Sequence, residues 1–216
     1  MKTNYKLIVF DWDGTLMDSE CKIVNCISAA AADCGVPDPG PAASRNIIGL
    51  GLTEAMRLLF PSLNQEKHDE ITERYRQHFL QHDQTAALLF PGVAEGLQNL
   101  SQRGYLLAVA TGKSRRGLQR VLEETNIGHL FAATRCADET FSKPHPKMLE
   151  DILAFTGMTP DQALMVGDTV YDMQMAQNAR MARLAVSYGV HKREQLLEHM
   201  PLACVNSFQE VCAWFN

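Results

Sequence analysis

The sequence predicts an α/β fold: a parallel sheet with helices on both faces and an all-helical segment inserted after the first strand. Three observations predict it. The apolar run Leu7, Ile8, Val9, Phe10 has no polar member, as a strand buried on both faces requires. Further apolar runs alternate with helix-like stretches beyond Pro91, the pattern of strand–helix–strand units. Between the first run and Pro91 only helix-like patterns occur.

The elements follow in order. After the strand at residues 7–10, residues 19–34 form an Ala-rich helix that Gly35 and Pro37 terminate. Residues 53–60 form a short helix stopped by Pro61, and residues 64–82 a longer one that is polar on one side. These helices read as a lid over the C-terminal edge of the first strand. Its hinges are expected near residues 17–19 and 88–91. The expected division is therefore a core of residues 1–17 and 89–216 and a helical cap of residues 18–88. Pro91 and Gly92 open the next helix. Strands are expected at 106–111, 132–135, 164–167 and 184–186, with a short last one at 203–205. Ser114 is placed to cap the helix after Thr111, and Gly157 to close the one that starts near Pro146. Thr159 and Gln162 have the spacing of a capping box, with Pro160 at its first position.

Composition limits the function classes. With 216 residues, 46% hydrophobic and 21% charged, the chain buries a sizeable core without staples. A net charge of -5 speaks against general nucleic-acid binding. None of the six cysteines forms a CxxC pair, and residues 1–4 lead into a strand rather than an apolar signal region. A reducing, cytoplasmic setting is expected, with the cysteines as apolar filler. No apolar stretch has membrane-spanning length, so neither a membrane nor a nucleic acid is expected as partner, and a monomer is favoured.

The chemistry gathers at strand ends. Asp11 and Asp13 stand one residue apart after the first strand, in Asp11-Trp12-Asp13-Gly14-Thr15. Two acids that repel each other and lose water call for a cation. Thr111, Gly112, Lys113 and Ser114 follow the second strand. Lys143 follows the third, in Ser142-Lys143-Pro144-His145-Pro146, and Gly167-Asp168-Thr169-Val170-Tyr171-Asp172 follows the fourth. In a parallel sheet these ends face one crevice. Four acids, a lysine, a threonine hydroxyl and helix-start amides suit phosphoryl transfer. Carboxylates bind Mg²⁺, amides and lysine bind phosphate, one carboxylate attacks phosphorus and a second serves as acid and base.

With these four motifs in this order, the chain resembles the haloacid dehalogenase superfamily over nearly its whole length. The resemblance is to the phosphatase branch with a helical cap on a Rossmann-like core, and within it to phosphoglycolate phosphatases. It implies Asp11 as nucleophile and Asp13 as general acid/base, with the Asp13 main-chain carbonyl also touching Mg²⁺. It further implies Asp168 as second metal carboxylate and Asp172 as support for the metal or its waters. Thr111, Gly112 and Lys143 would hold the phosphate, with the Trp12 amide, and Thr15 would orient the Asp13 region. The substrate implied is a small phosphorylated metabolite, chosen by the cap. Arg45, Gly49 and Gly51 are the candidate cap contacts, because glycine amides approach ligands closely and arginine pairs with anions.

Several alternatives share these residues. A mutase resembling β-phosphoglucomutase would use the same core, and relatives acting on other sugar phosphates, nucleotides or pyrophosphate stay open. A metal-free dehalogenase leaves Asp13 and Asp168 without purpose, and a pure binding module leaves Asp13 without one. Gly112-Lys113-Ser114 lacks the P-loop's first glycine, since Leu107 stands there. Gly49-Leu50-Gly51 reaches Glu54 where a dinucleotide fingerprint needs glycine. His78 and His82 share a helix face with no third ligand nearby, so a solvated face is expected. His145 is either structural or tunes Lys143.

Overall fold

The computed structural model describes residues 5–215. Its strands are β1 (Leu7–Phe10), β2 (Met17–Asp18), β3 (Leu88–Leu89), β4 (Leu106–Thr111), β5 (Phe131–Cys136), β6 (Ala163–Gly167), β7 (Ala182–Val186) and β8 (Cys204–Val205). Its α-helices are α1 (Glu20–Asp33), α2 (Gly40–Asn46), α3 (Leu52–Leu59), α4 (Gln65–Gln77), α5 (Val93–Gln102), α6 (Arg115–Thr125), α7 (Lys147–Thr156), α8 (Val170–Asn178), α9 (Arg193–Leu197) and α10 (Phe208–Trp214).

Six strands form one parallel sheet in the order β5-β4-β1-β6-β7-β8. This is the α/β Rossmann-like sheet that the sequence predicts. Strand β1 is central, with Leu7 level with Leu106 of β4 on one side and Ala163 of β6 on the other. The chain winds outward from β1 in both directions, so the switch point lies between β1 and β6, where such sheets bind ligands.

Strand pleating sorts the apolar residues onto two faces. Ile8, Phe10, Leu107, Val109, Leu164 and Val166 pack with Val93, Leu97 and Leu100 of α5, Leu118 and Val121 of α6, and Phe208 of α10. Leu7, Val9, Ala108, Ala110 and Met165 face the opposite way, onto Met148, Leu149 and Ile152 of α7 and Met175 of α8. Both faces are thus closed from water, which is why β1 can be wholly apolar.

Residues 20–82 add no strand to this sheet. They have a core of their own, in which Ile23, Ile27 and Ala30 of α1 meet Ile47, Ile48, Met56 and Ile71. The chain leaves and re-enters the sheet region through β2 and β3, which pair antiparallel as Met17 with Leu89 and Asp18 with Leu88. Only helix-like patterns were expected here; a strand of two residues carries no periodicity to read. Helix α2 also departs from expectation, because its Gly and Pro content resembles a loop. The helix expected over 64–82 ends at Gln77 and continues as one π-helical turn, His78–His82.

Capping chemistry agrees better. The Ser114 hydroxyl accepts from the Gly117 N–H at 3.2 Å, and Gly157 closes α7 with φ of 68°. The Gln162 side chain accepts from the Thr159 N–H at 3.2 Å, but the turn it starts is a single 3₁₀ turn, Pro160–Gln162. The last two helices, α9 and α10, had no counterpart in the sequence reading.

Ile152 is fully buried between α7 and the sheet. Ile152→Ala is expected to cost about 2–5 kcal/mol, read as a lower urea midpoint at unchanged slope. A midpoint equal to wild type would show that this face does not carry the fold.

Candidate active site

The C-terminal ends of β1, β4 and β6 bring the chemical residues together. Asp11 directly follows β1, and its N–H donates to the Val166 carbonyl of β6 at 3.0 Å. Asp168 directly follows β6, and Thr111 is the last residue of β4. Lys143 reaches in from the loop after β5. Asp11, Thr111, Lys143, Asp168 and Asp172 are all buried.

At the centre, the Lys143 ammonium lies 2.6 Å from Asp11 Oδ1 and 2.7 Å from Asp172 Oδ1. Burial alone would lower the lysine's pKa, but Asp11 and Asp172 together hold it above its ordinary value, and so charged. Asp172 Oδ2 accepts from the Thr169 hydroxyl at 2.7 Å and its N–H at 3.1 Å. Asp172 therefore caps α8 and faces Lys143 at once. Asp168 is fixed on both oxygens, by the Thr15 hydroxyl at 2.7 Å and the Val190 N–H at 2.8 Å. Burial, with Asp172 adding to it, pushes the Asp168 carboxyl up to about 7. Burial drives the Asp11 carboxyl upward too, against the pull of Lys143.

Asp11, Asp168 and Asp172 each offer an oxygen within 4.8 Å of the others. Asp11 Oδ2 is buried and accepts no hydrogen bond. An orphaned carboxylate oxygen beside two further buried carboxylates is a donor set for a hard divalent cation.

Asp13 lives apart from this cluster. Its Oδ1 accepts from the Ser19 hydroxyl at 2.5 Å and meets the Lys113 ammonium at 2.9 Å. The next residue, Gly14, has φ of +83°, and a Cβ there would stand 2.2 Å from Asp168 Oδ2. Only glycine permits both the turn and the approach.

A cavity of ≈ 150 Å³ lies beside Asp13, between the helical insertion and the sheet edge, and Gly112 and Lys113 also line it. Gly49 and Gly51 of the insertion line it as well. A Cβ on Gly112 would sit 2.4 Å from the Leu50 carbonyl oxygen, so glycine here lets the insertion lie close on the sheet edge.

A family model described as "Haloacid dehalogenase-like hydrolase" matches residues 8–186. The chain belongs to that family. Among its curated relatives, "Probable phosphatase IndB" of Dickeya dadantii is 36% identical over 211 residues, covering 95% of this chain and 91% of that one. "Phosphoglycolate phosphatase" of Aliivibrio fischeri is 32% identical over 222 residues, covering 99% and 97%. A crystal structure described as a predicted phosphoglycolate phosphatase from Haemophilus somnus superposes with a TM-score of 0.90 at 25% identity, over 100% of both chains. This member of the hydrolase family is thus an α/β enzyme with relatives named as phosphatases.

Some residues fall elsewhere than the sequence reading places them. Arg45 is half-exposed and paired with Glu20, away from the cavity lining. Its helix α2 was not foreseen, and α1 supplies the partner. The Thr15 hydroxyl donates to Asp168, while its N–H donates to the Trp12 carbonyl beside Asp13 at 3.3 Å. His78 pairs with Asp33 at 2.8 Å, and no metal group among the described residues includes it. His145 accepts from the Lys147 N–H at 3.2 Å and packs against Phe141, a structural setting.

Three partners escaped the sequence reading. Lys113 was set aside with the failed P-loop match, although its place two residues after Thr111 was a signal. Ser19 resembles an ordinary helix cap, but its hydroxyl goes to Asp13 instead. Val190 lies in a loop with no motif to mark it.

Lys143→Met removes the ammonium facing Asp11 and Asp172. Without divalent cations the variant is expected to lose about 3–5 kcal/mol of stability, measured by denaturant unfolding. An unchanged midpoint would show that Lys143 is not their counter-charge.

Proposed function

We propose that the protein is a Mg²⁺-dependent phosphatase of small phosphomonoesters that works through an aspartyl-phosphate on Asp11. The observation that carries this reading is the division between two aspartates two residues apart. Asp11 sits in a buried cluster with one oxygen free, whereas Asp13 is held separately at the cavity. This division suits the one for a nucleophile and the other for a proton carrier.

When bound among Asp11, Asp168 and Asp172, Mg²⁺ would neutralise carboxylate and phosphate charge. The main-chain carbonyl of Asp13 would complete the set. Lys143 would pair with a phosphate oxygen while holding Asp11 in line. The Thr111 hydroxyl and the Trp12 and Gly112 N–H groups would donate to the other oxygens. A carboxylate oxygen of Asp11 would form a bond to phosphorus as the ester P–O bond breaks, and Asp13 would give its proton to the departing alkoxide. In the second half Asp13 takes a proton from water, the water oxygen bonds to phosphorus, and Asp11 is released with inorganic phosphate.

Residues 18–88 are proposed to act as a cap domain on a core of residues 1–17 and 89–216. The separate apolar core of the insertion and its entry and exit through β2 and β3 support this division. Gly49 and Gly51 are its proposed substrate contacts. The six free thiols suit a reducing, cytoplasmic setting.

Phosphate release from a panel of phosphomonoesters tests the reading. Asp11→Asn is expected to abolish turnover while leaving the unfolding midpoint near wild type, and activity in the folded variant would sink the nucleophile assignment. EDTA is expected to stop turnover and added Mg²⁺ to restore it; a rate indifferent to EDTA would remove the metal. Asp13→Asn is expected to slow turnover about a hundredfold or more with alkyl esters. Near-wild-type rates would refute its acid/base role.

A further inference from the structure

Asp13 decides where the substrate's alcohol half must lie. On the phosphatase reading, Asp13 protonates the leaving oxygen, so the group attached to that oxygen extends beyond Asp13. Asp13 lines the cavity under the insertion, whereas Asp11 does not. The leaving group therefore occupies this cavity.

Its chemistry is mostly apolar. Ile23, Ile27, Ile48, Leu52, Met56 and Phe79 contribute to its walls. Two cationic side chains border it, Lys113 and Arg76, against three carboxylates, Asp13, Glu54 and Asp138. Neither cation is free. The Lys113 ammonium is 2.9 Å from Asp13 and 4.7 Å from the Phe79 ring centroid. Arg76 is half-exposed at the rim, 3.5 Å from Glu73. Arg45, the remaining candidate for an anion, is paired with Glu20 outside the lining. With Asp13 protonated for its acid role, Glu54 and Asp138 still balance the two cations of the lining and Lys113 still faces the Phe79 ring, so a substrate carboxylate entering here would lose water without meeting a net positive wall. A neutral apolar group would gain contact on most sides. A cavity of about this volume lined by Leu, Ile and Phe takes up a benzene ring, and this one measures ≈ 150 Å³.

We propose that the preferred substrates are phosphomonoesters of neutral, largely apolar alcohols of about ring size, and that esters carrying a carboxylate or second phosphate are disfavoured. The inference rests on the phosphatase reading. It separates this chain from the substrate printed in the names of several relatives, phosphoglycolate.

The test compares kcat/KM for benzyl phosphate, ethyl phosphate and phosphoglycolate, with p-nitrophenyl phosphate as a general control. All three esters expel a primary alcohol and inorganic phosphate on reaction with water, so leaving-group chemistry is similar. Benzyl phosphate is expected to exceed ethyl phosphate by about tenfold or more, the scale of a filled apolar pocket. Phosphoglycolate is expected to fall below ethyl phosphate. Thr53→Arg adds a cation at the exposed start of α3 on the rim, and is expected to raise the phosphoglycolate-to-ethyl phosphate ratio. Phosphoglycolate turnover matching or exceeding that of benzyl phosphate would overturn the inference and leave the phosphatase reading standing. So would ethyl phosphate matching benzyl phosphate. No phosphate release from any ester, p-nitrophenyl phosphate included, would defeat the phosphatase reading and this inference with it.

Discussion

The buried ammonium of Lys143 is the contact on which the rest of the site depends. It stands between Asp11 and Asp172 in a region closed to water. Each carboxylate there is expensive to keep ionised, and the cost rises with each neighbour of like charge. Three carboxylates against one ammonium leave two negative charges, the charge that one divalent cation carries. Ionising all three at once therefore takes positive charge beyond Lys143, which makes the cluster a candidate site for a divalent cation. The order of the sheet brings these groups together. Asp11 comes from β1, Asp168 and Asp172 follow β6, and Lys143 follows β5. They converge because β1 lies beside β6 at the switch point of the winding.

The same atoms serve fold and site. Asp172 closes the N-terminus of α8 through Thr169 while presenting its other oxygen to Lys143. The cap sets the rotamer that the ion pair needs, so local helix chemistry preorganises an electrostatic contact. Thr15 works in the same way, as its hydroxyl fixes Asp168 and its carbonyl accepts from the Tyr188 hydroxyl at 2.8 Å. Glycines make the crowding possible. Gly14 and Gly189 both border Asp168 at distances that a Cβ could not occupy.

Legibility in the sequence followed the strength of local signals. The central strands β1, β4 and β6 were readable because burial on both faces leaves them almost wholly apolar, and three of the four motifs were readable because they stand at the ends of those strands; β5, with Thr134 and Arg135, gives a weaker signal. Helix ends with Ser114 and Gly157 were readable from capping alone. The two-residue ribbon β2–β3 was not, since two residues have no period, and its pairing joins positions about seventy apart in the chain. Helix α2 was hidden by Gly40 and Pro41 at its start. At the site, Lys113, Ser19 and Val190 acquire meaning only through partners that folding brings together. Arg45 shows the converse. Its charge suggested a ligand contact, but a glutamate on α1, far enough in sequence to be invisible, neutralises it.

The proposed function divides recognition between the insertion and the sheet, and the contacts between them lie close to the central ion pair. The Gly51 N–H donates to Ser142 Oγ at 2.8 Å, next to Lys143. The Tyr171 hydroxyl donates to the Asn46 carbonyl at 2.8 Å, next to Asp172. Residues 46–51 thus touch the chain on either side of the central ion pair, with Gly112 beneath them. On the proposed function, apolar side chains above this seam would meet the alcohol half of a substrate, and charged ones below it the phosphate. Changing the helices of residues 20–82 would then alter which ester fits while the strand ends proposed to act on phosphorus stay as they are. A fold arranged this way lets one reaction serve many substrates, because specificity and chemistry are carried by separate hydrophobic cores joined at a glycine contact.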